Sequence, residues 1–490
     1  MRRRLSRDRH LLRALLLLLS GPVLPGAAAL AQTVGVRPPA VAGYFYPEDP
    51  EALKKEVEDL LAAASADGVA PAQPVRAGIV PHAGLDYSGL VAARFYRAVQ
   101  GREYDAVVLI AVSHQESFAG VSIWPGSRLS TPLGEIPIER ALAERLVAAD
   151  DSIRFATEGY GAEHSLEVQL PFLQTVLPGV PVVPLMVGRQ SLDLSYHLAR
   201  TLATVLAGRN VLLLASSDLS HFHDDSTAAR LDGELLDLIR SNDPFLLGYR
   251  SFTGELEACG VGGVVAVLEA ARRLGAGRTQ VLAYDTSGRV TGDMSNVVGY
   301  TAVTVSDGPG GSDALTERDK ASLVEIARGS VAATVRREVL PPIPELSPAL
   351  MRKQAAFVTL RSGGELRGCV GAIFATQPVA RQVRESAVAA SRDTRFARLS
   401  ADELPRLDYE ISLLSPLTPL DDPGSLVIGR DGLMLVQGDR RGVLLPVVAV
   451  EQGWDRETFL EQVGVKAGLG RDAWRRPGTL LFSFSTESVR

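Results

Sequence analysis

The sequence predicts a two-domain protein, in which an α/β domain with a central, largely parallel sheet is followed by a smaller α+β domain. The length of 490 residues corresponds to two or three domains. Between residues 34 and 306, short β-branched apolar runs alternate with longer amphipathic stretches. A Gly- and Pro-rich run then interrupts this pattern, and a hydrophobic fraction of 46% excludes a chain that is disordered throughout.

The elements of the first domain follow from their hydrophobic spacing. Runs rich in valine, leucine and isoleucine predict strands over residues 75–80, 106–112, 180–187, 211–215 and 297–305. Apolar residues at helical spacing predict helices over residues 51–64, 140–149, 195–206 and 264–274. Strands that alternate with helices pair in parallel and are covered on both faces, so we expect a buried sheet.

Residues 1–31 have the pattern of an export signal. A basic start and a leucine-rich run over residues 11–19 are followed by small residues that offer a cleavage site before Gln32. The pattern predicts a protein exported to the periplasm or secreted. The alternative is a misplaced start codon, which would leave the protein in the cytoplasm. No later segment is apolar enough to span a bilayer, so we expect no membrane span in the mature chain.

The second domain is predicted to follow a short linker. The first domain is assigned to residues 32–306, a Gly/Pro/Ser linker to residues 307–315 and the second domain to residues 316–490. Thr316 and Asp319 form a capping-box pattern that predicts a helix to about residue 335. Further predicted elements are strands over residues 356–360 and 409–414, a helix over residues 379–390, and a hairpin of residues 433–436 and 443–445.

Composition excludes several classes of protein. Only two cysteines are present, which excludes a disulfide-stapled scaffold and a four-thiolate zinc ribbon. The formal net charge of −6 carries no basic signature, so we expect no nucleic-acid partner.

Polar residues follow three predicted strands of the first domain. His82 and His114 each come just after a strand, and Asp218 and His221 follow a third. The carboxyl ends of the strands in an open α/β sheet line a ligand crevice. Cys259 precedes a predicted helix, whose dipole would favour a thiolate. Imidazole and thiolate suit iron, copper or zinc, so this set predicts a metal site.

Each of these residues also has a plainer interpretation. A single histidine after a strand is more often a hydrogen-bonded loop residue than a ligand, and a lone buried cysteine usually acts as a small hydrophobe. His164 is also compatible with a capping or packing role at a helix start. His197 has no accompanying polar motif, and His223 is compatible with a solvated neighbour of His221.

The order of these motifs resembles the Memo family. The matching segments are Pro81-His82-Ala83-Gly84, Ser113-His114, Glu163-His164-Ser165-Leu166-Glu167, Ser217-Asp218-Leu219-Ser220-His221 and Cys259-Gly260. One departure is Ala111-Val112, where the family usually has Gly-Pro. Memo proteins resemble class III extradiol dioxygenases in fold.

This resemblance implies a metal site of His82, His114 and Cys259. It implies Fe(II) as the expected metal, with copper or zinc as alternatives, and an oxidoreductase of class III dioxygenase type that acts on an unknown small molecule. His221, oriented by Asp218, is expected to act as the acid/base, and His164 as a group near the metal or substrate. Because a thiolate is easily oxidised, a metal-binding scaffold or partner-recognition protein without turnover is the alternative.

The second domain carries a different signature, Leu366-Arg367-Gly368-Cys369-Val370-Gly371. Gly368 and Gly371 predict either a close backbone approach or positive φ, and a glycine-bounded turn around a buried cysteine is an equally plain interpretation. The segment resembles the AMMECR1 family, with supporting matches that include Asp393-Thr394-Arg395-Phe396 and Lys466-Ala467-Gly468-Leu469. The sequence leaves two roles open for this pair: Arg367 is an anion-binding side chain and Cys369 a nucleophile, or the two form an inert structural pair. We favour a binding or scaffolding role for this domain.

The two resemblances together imply a partner. Memo-like and AMMECR1-like proteins recur in bacteria beside a radical SAM protein, in the AmmeMemoRadiSam system. This chain resembles a fusion of two of the three components. It lacks the Cys-x-x-x-Cys-x-x-Cys motif, so a separate radical SAM protein is the expected third component.

Overall fold

A computed structural model describes residues 35–64, 73–308, 315–343 and 347–490. The predicted leader, and residues 309–314 of the predicted linker, lie outside the described residues.

The first part of the chain alternates strands with helices. Its strands are β1 (Val36–Arg37), β2 (Val75–Val80), β3 (Ala106–Val112), β4 (Val121–Ile123), β5 (Arg128–Thr131), β6 (Gly134–Pro137), β7 (Ile153–Phe155), β8 (Val182–Val187), β9 (Val211–Ser216), β10 (His221–His223), β11 (Arg278–Thr286) and β12 (Val297–Ser306). Its helices are α1 (Pro50–Ala64), α2 (Leu85–Val99), α3 (Arg140–Ala149), α4 (Leu170–Val176), α5 (Leu192–Leu206), α6 (Asp225–Arg240), α7 (Pro244–Phe252), α8 (Val261–Arg273) and α9 (Gly288–Thr291).

A nine-stranded sheet organises this part. Its order is β10-β12-β2-β9-β3-β8-β4-β7, with β11 paired to β12. The central strands β2, β9, β3 and β8 run parallel, whereas β12 pairs with β2, and β4 with β8, in antiparallel fashion. Helices α5 and α8 cover one face and α1, α2 and α4 cover the other. The predicted α/β fold with a largely parallel centre is confirmed.

The second part of the chain is a mixed α and β unit. Its strands are β13 (Ala356–Ser362), β14 (Glu365–Gly371), β15 (Leu407–Leu414), β16 (Thr418–Pro419), β17 (Asp431–Gln437), β18 (Arg440–Leu444) and β19 (Leu480–Val489). Its helices are α10 (Glu317–Arg336), α11 (Pro348–Met351), α12 (Val379–Ala390), α13 (Pro446–Glu451) and α14 (Arg456–Lys466).

These strands form an antiparallel sheet. Its order is β14-β13-β15-β19-β17-β18, with β16 paired to β19, so the signature strand β14 lies at one edge. Helix α10 begins at the predicted capping box, in which the Thr316 side chain accepts from Asp319 N–H and the Asp319 side chain accepts from Thr316 N–H. The predicted α+β class of this domain is confirmed.

The two sheets are joined by a buried apolar contact. Phe482 on β19 lies with its ring centroid 4.4 Å from that of Phe245 on α7 and 5.3 Å from that of Tyr196 on α5. Phe482 and Met434 are fully buried and belong to the same apolar core as α5, α7 and α8. Arg273, in the last turn of α8, pairs with Asp421 at the rim. The two parts therefore share a core.

Across the described ranges, no helix has the length and apolar character needed to cross a membrane.

Candidate metal centre

Three adjacent parallel strands bring the candidate site together. His82 follows β2, His114 follows β3, and Ser216 ends β9. Because β2, β9 and β3 are neighbours in the sheet, their carboxyl ends meet at one edge. There, one ligand atom from each of His82, His114 and His164 lies within 4.8 Å of the others.

The His82 ring is held in one tautomer by Ser216. The Ser216 hydroxyl donates its single proton to the Ser165 carbonyl at 2.5 Å, so it accepts from His82 Nδ1, which lies 3.0 Å away. The proton therefore sits on Nδ1, and Nε2 keeps its lone pair. Burial, followed by the neighbouring His164 and His114, holds the pKa of His82 well below its usual value, so the ring is neutral at pH 7.

One carboxylate orients the other two imidazoles. Glu163 Oε1 lies 3.1 Å from His114 Nδ1 and 3.2 Å from His164 Nδ1. Glu163 Oε2 also accepts from the main-chain N–H of His114 at 2.5 Å. Burial favours a raised pKa for Glu163, but the hydrogen bonds from both histidines and nearby N–H groups outweigh it and hold that pKa well below its usual range. An ionised carboxylate only accepts, so both Nδ1 atoms donate and both Nε2 atoms are available to a ligand.

The rings themselves pack into a compact group. The His114 and His164 rings stack with centroids 4.9 Å apart, and the His82 ring lies edge-on to both, at 5.2 and 5.3 Å. Phe45 closes the far side of His164, with its ring centroid 4.5 Å away. Packing and Nδ1 hydrogen bonds together fix the direction of each imidazole.

Cys259 lies beside this group. Its sulfur is 3.1 Å from His82 Nε2 and accepts from Asp218 N–H at 3.2 Å. Burial, and then the Asp218 carboxylate, raise the pKa of the Cys259 thiol well above its usual value. Without a metal, burial therefore outweighs the helix terminus that is expected to favour a thiolate. The thiol instead donates to His82 Nε2.

The structure gives Asp218 and His221 different surroundings from those the sequence predicts. Asp218 is buried, and its Oδ1 accepts from the main-chain N–H of His82 at 2.7 Å. Burial raises the pKa of Asp218, although the His82 N–H and the nearby His221 charge oppose the rise. His221 is partly exposed, and its N–H faces Glu257 Oε2 at 3.4 Å. Asp218 thus positions His82, and Glu257 is the carboxylate that contacts the main chain of His221.

Sequence reasoning missed Glu163 and Ser216 as functional groups. Glu163 directly precedes His164, and Ser216 lies two residues before Asp218, at the end of β9. A carboxylate immediately before a histidine was the available signal for Glu163, since ligating histidines usually donate their second ring nitrogen to an acceptor.

Hydrogen bonds from the amino-terminal segment to Glu167 hold the loop that carries His164 in place. Glu167 is fully buried and accepts from Arg37 Nη1 and from the Tyr46 hydroxyl, both at 2.6 Å. It also accepts from the N–H groups of Ala40 and Val41. This network places Phe45, the neighbour of Tyr46, against the imidazole group.

The signature of the second domain forms an edge strand with its outer side covered. The Cys369 N–H donates to Asp393 Oδ2 at 3.1 Å, and the Cys369 carbonyl accepts from Arg395 Nη2 at 2.7 Å. Arg367 pairs with Glu403 at 2.9 Å. The contacts of Cys369 with Asp393 and Arg395 satisfy two backbone groups that an exposed edge would leave unpaired.

Both signature glycines are needed for close packing rather than for positive φ. A Cβ on Gly368 would lie 2.1 Å from the Ala390 carbonyl oxygen, and one on Gly371 would lie 2.4 Å from that of Ala356. Neither residue is among those with positive φ. Of the two geometric alternatives, the close approach is therefore the one observed, in a strand rather than a turn.

Comparisons with known proteins identify the family of each part. A family model described as Memo-like protein matches residues 37–304, and the AMMECR1 model matches residues 324–489. The chain therefore belongs to the Memo-like family, with an AMMECR1 domain after the Memo-like one.

Individual relatives and a solved structure each match part of this chain. A MEMO1 family protein of Methanobrevibacter smithii is 35% identical over 283 residues, which cover 54% of this chain and 98% of that protein. A MEMO1 family protein of Aeropyrum pernix is 37% identical over 280 residues, covering 55% and 99% of the two chains. The crystal structure of uncharacterized protein PH0010 from Pyrococcus horikoshii shares 33% identity, covers 34% of this chain and 88% of that one, and has a TM-score of 0.32.

Proposed function

We propose that the Memo-like domain binds a redox-active metal, Fe(II) in the first place, and acts as an oxidoreductase of class III dioxygenase type on a small molecule. The observation that carries this proposal is the convergence of His82, His114 and His164, whose ligand atoms lie within 4.8 Å of one another. Each ring has its Nδ1 committed to an acceptor, so each offers Nε2 without a prior change of tautomer.

The donor set suits a first-row transition metal. Three imidazoles and a thiol are borderline to soft donors, which favour iron, copper or zinc over magnesium or calcium. His82, His114 and His164 would supply imidazole nitrogens, and Cys259, beside His82 Nε2, would supply the anionic donor that the family resemblance implies. When bound, Fe(II) would supply a Lewis acid and a one-electron redox centre.

The remaining residues hold the site and handle protons. Asp218 fixes the main chain of His82 and, through its own N–H, the Cys259 sulfur. His221 is partly exposed, so its ring is accessible to exchange a proton with solvent or substrate. Glu163 keeps the Nδ1 protons of His114 and His164 in place.

A metal-binding scaffold without turnover is the second candidate. The observation that favours it is a fourth donor, the Cys259 sulfur, which lies 3.1 Å from His82 Nε2 beside the group of three imidazoles. A full protein ligand set is typical of structural metal sites, which leave no position for substrate. In either case we propose that the protein is exported and works with a radical SAM protein of the AmmeMemoRadiSam system.

Metal analysis of anaerobically purified protein tests the proposal. We expect one equivalent of iron in the full chain and its loss in the double variant His114→Ala/His164→Ala. Oxygen uptake is then measured with a panel of catechols. Uptake that depends on iron supports the dioxygenase function, and stoichiometric metal without uptake on any catechol favours the scaffold.

The matched control is His197→Ala. His197 lies on α5, outside the imidazole group, and pairs with Asp150 at 3.2 Å. The His197→Ala variant should retain full metal content. If the wild-type chain carries no metal, or if the double variant retains it, the ligand assignment is wrong.

A further inference from the structure

Helix α8, which follows Cys259, begins without a capping side chain of its own. Its N-cap residue is Gly260, and the first N–H groups of a helix have no partner within the helix. Gln190, from another part of the chain, supplies the missing acceptor, because its Oε1 accepts from the Gly262 N–H at 2.7 Å. A Cβ on Gly262 would lie 2.9 Å from that oxygen, so the glycine leaves room for the amide.

The same amide also holds the peptide bond between Cys259 and Gly260. Gln190 Nε2 donates to the Cys259 carbonyl at 2.7 Å, and the Gly260 N–H of that peptide donates to Ser217 Oγ at 2.9 Å. The peptide plane is therefore held at its carbonyl and at its N–H. Because the plane includes the Cys259 Cα, these two bonds restrict the direction in which the cysteine side chain points.

The two hydrogen bonds of Gln190 use different ends of its carboxamide. An amide oxygen can only accept and an amide NH₂ group can only donate, so one side chain satisfies both an N–H and a carbonyl. A carboxylate of the same size would accept from Gly262 but could not donate to the Cys259 carbonyl. The capping of α8 and the hold on Cys259 can therefore be separated by a single substitution.

The loop that carries Gln190 is fixed to the sheet. Gln190 lies three residues after β8, and the N–H of the preceding Arg189 donates to the Phe118 carbonyl at 2.7 Å. Strand β8 pairs in parallel with β3, which ends just before the loop of His114. A fourth parallel strand thus places a side chain at the edge of the sheet where the imidazole group lies.

The position of the Cys259 sulfur depends on this peptide. The sulfur lies 3.1 Å from His82 Nε2 and 3.2 Å from the main-chain nitrogen of Asp218. Rotation of the peptide between Cys259 and Gly260 would turn the Cα–Cβ bond of the cysteine. The sulfur would then move away from both of these partners.

We propose that Gln190 is a positioning residue for Cys259, whose sulfur it directs toward His82 Nε2 and toward a metal held by the imidazole group. The role of the metal rests on the proposed function. The hold on the peptide between Cys259 and Gly260 does not, and it is measurable in protein without metal.

Gln190→Glu in the full chain tests the hold on the peptide. The carboxylate still accepts from Gly262 and its charge suits a helix N-terminus, so the melting temperature should stay close to the wild-type value. Amide hydrogen exchange is measured at single residues in metal-free protein. The Gly260 N–H should exchange about fivefold faster than in the wild type, as expected for loss of one hydrogen bond, whereas the Gly262 N–H should remain protected.

Two further variants show whether this effect is specific. Gln190→Met removes both hydrogen bonds, so both N–H groups should exchange faster. Gln174→Glu is the matched control, because Gln174 Oε1 accepts from the Thr131 hydroxyl at 2.6 Å and its Nε2 donates to the Gly134 carbonyl at 3.0 Å, outside the imidazole group. This control should leave both exchange rates at their wild-type values.

Binding of Co²⁺ to the full chain tests the direction of the sulfur. A cobalt ion bound by the Cys259 sulfur has a sulfur-to-metal charge-transfer absorption in the near ultraviolet, which imidazole ligands do not produce. Gln190→Glu should lose most of this absorption and bind Co²⁺ about tenfold more weakly than the wild type. Gln174→Glu should match the wild type in both measurements.

Unchanged Gly260 exchange in Gln190→Glu would overturn the proposal, as would equally fast exchange in Gln174→Glu. If the wild type binds Co²⁺ with a sulfur absorption that Gln190→Glu retains in full, Gln190 does not direct the sulfur and the proposal is wrong. If the wild type binds no Co²⁺, the proposed metal function fails. Faster Gly260 exchange in Gln190→Glu, but not in Gln174→Glu, then still supports the hold on the peptide.

Discussion

Glu163 is the residue on which the orientation of two imidazoles depends. One of its oxygens faces both His114 Nδ1 and His164 Nδ1, and its other oxygen accepts from the main chain of His114. A carboxylate can accept all of these bonds, but a carboxamide must present one NH₂ group, which cannot accept.

Glu163→Gln should therefore lower metal affinity by about 10- to 100-fold, as expected for loss of a partner that orients ligands. Competition with a chromophoric chelator measures the change. Glu257→Gln, which removes a carboxylate paired with His223, is the control and should keep wild-type affinity. Equal affinity in Glu163→Gln and the wild type would show that Glu163 does not orient the ligands.

Gly260 allows Cys259 to approach the end of β9. A Cβ at this position would lie 2.5 Å from the Ser216 carbonyl oxygen and 2.8 Å from Ser217 Cβ. Its own N–H donates to Ser217 Oγ at 2.9 Å, so the backbone has little freedom to move away.

Gly260→Ala should destabilise the protein by about 1–3 kcal/mol, because the added methyl group overpacks a backbone contact. Gly233→Ala is the matched control, since Gly233 lies within α6 and a Cβ added there would have no neighbouring atom within 4 Å. It should stabilise the protein by about 0.5–1 kcal/mol. Urea unfolding measures both, and a loss of stability in the control or none in Gly260→Ala would contradict the packing argument.

At the scale of elements, helix α10 shows how a local sequence signal defines a boundary. Asp319 accepts from the Ser347 hydroxyl at 2.6 Å and from Thr316 N–H at 2.9 Å. The hydrogen bond from Ser347, followed by those from Thr316, lowers the pKa of Asp319. A carboxyl group whose pKa is lowered by folding stabilises the protein above its unfolded pKa of about 3.9 and loses that contribution as the pH falls through its folded pKa.

Asp319→Asn should therefore lower the melting temperature at pH 7 and have a smaller effect near pH 3, because that pH is below the unfolded pKa and part of the contribution is already lost. Thr316→Ala should cost about 1 kcal/mol at both pH values, because a hydroxyl cap does not titrate there. Thermal unfolding at the two pH values measures this. An Asp319→Asn effect that is the same at both would show that the charge of the cap does not contribute.

At the scale of the whole molecule, the two sheets share one apolar core. Phe482 of the AMMECR1 domain is fully buried against Phe245 and Tyr196 of the Memo-like domain. An interface of this kind couples the stability of two domains, because neither can unfold without exposing apolar surface of the other.

Phe482→Ala should lower the free energy of unfolding by about 3–5 kcal/mol, because it leaves a cavity in the shared core. It should also split a single calorimetric unfolding transition into two. Phe222→Ala is the control, because Phe222 is 74% exposed. The free energy of unfolding of this variant should stay within about 0.5 kcal/mol of the wild-type value. A single, unshifted transition in Phe482→Ala would contradict the shared core.

Much of the fold follows from local sequence patterns. Strands β2 and β3 and helices α3 and α12 have the predicted bounds, because their hydrophobic periodicity and end signals are strong. The predicted helix over residues 195–206 begins earlier, at Leu192, where Ser191 caps it. Helix α2 was not predicted, although Asp86, Arg94 and Arg97 lie at helical spacing along its less buried side.

The candidate site was predictable only in part. His82, His114 and Cys259 follow from strand-end and helix-start positions together with the family resemblance. His164 does not follow a strand of the central sheet, and only the tertiary fold carries it to His82 and His114. The pairing of Asp218 with the His82 main chain likewise joins residues distant in sequence.

The sequence by itself determined the α/β and α+β classes, the order of the two domains and the residue types of a candidate metal site, because these depend on periodicity and local chemistry. The tertiary structure decided which nitrogen each imidazole offers, which carboxylate orients it and how the two domains share a core. These depend on contacts across long stretches of chain, such as Glu163 with His114 and Phe482 with Tyr196. No local pattern encodes such contacts, because packing the sheets brings the partners together.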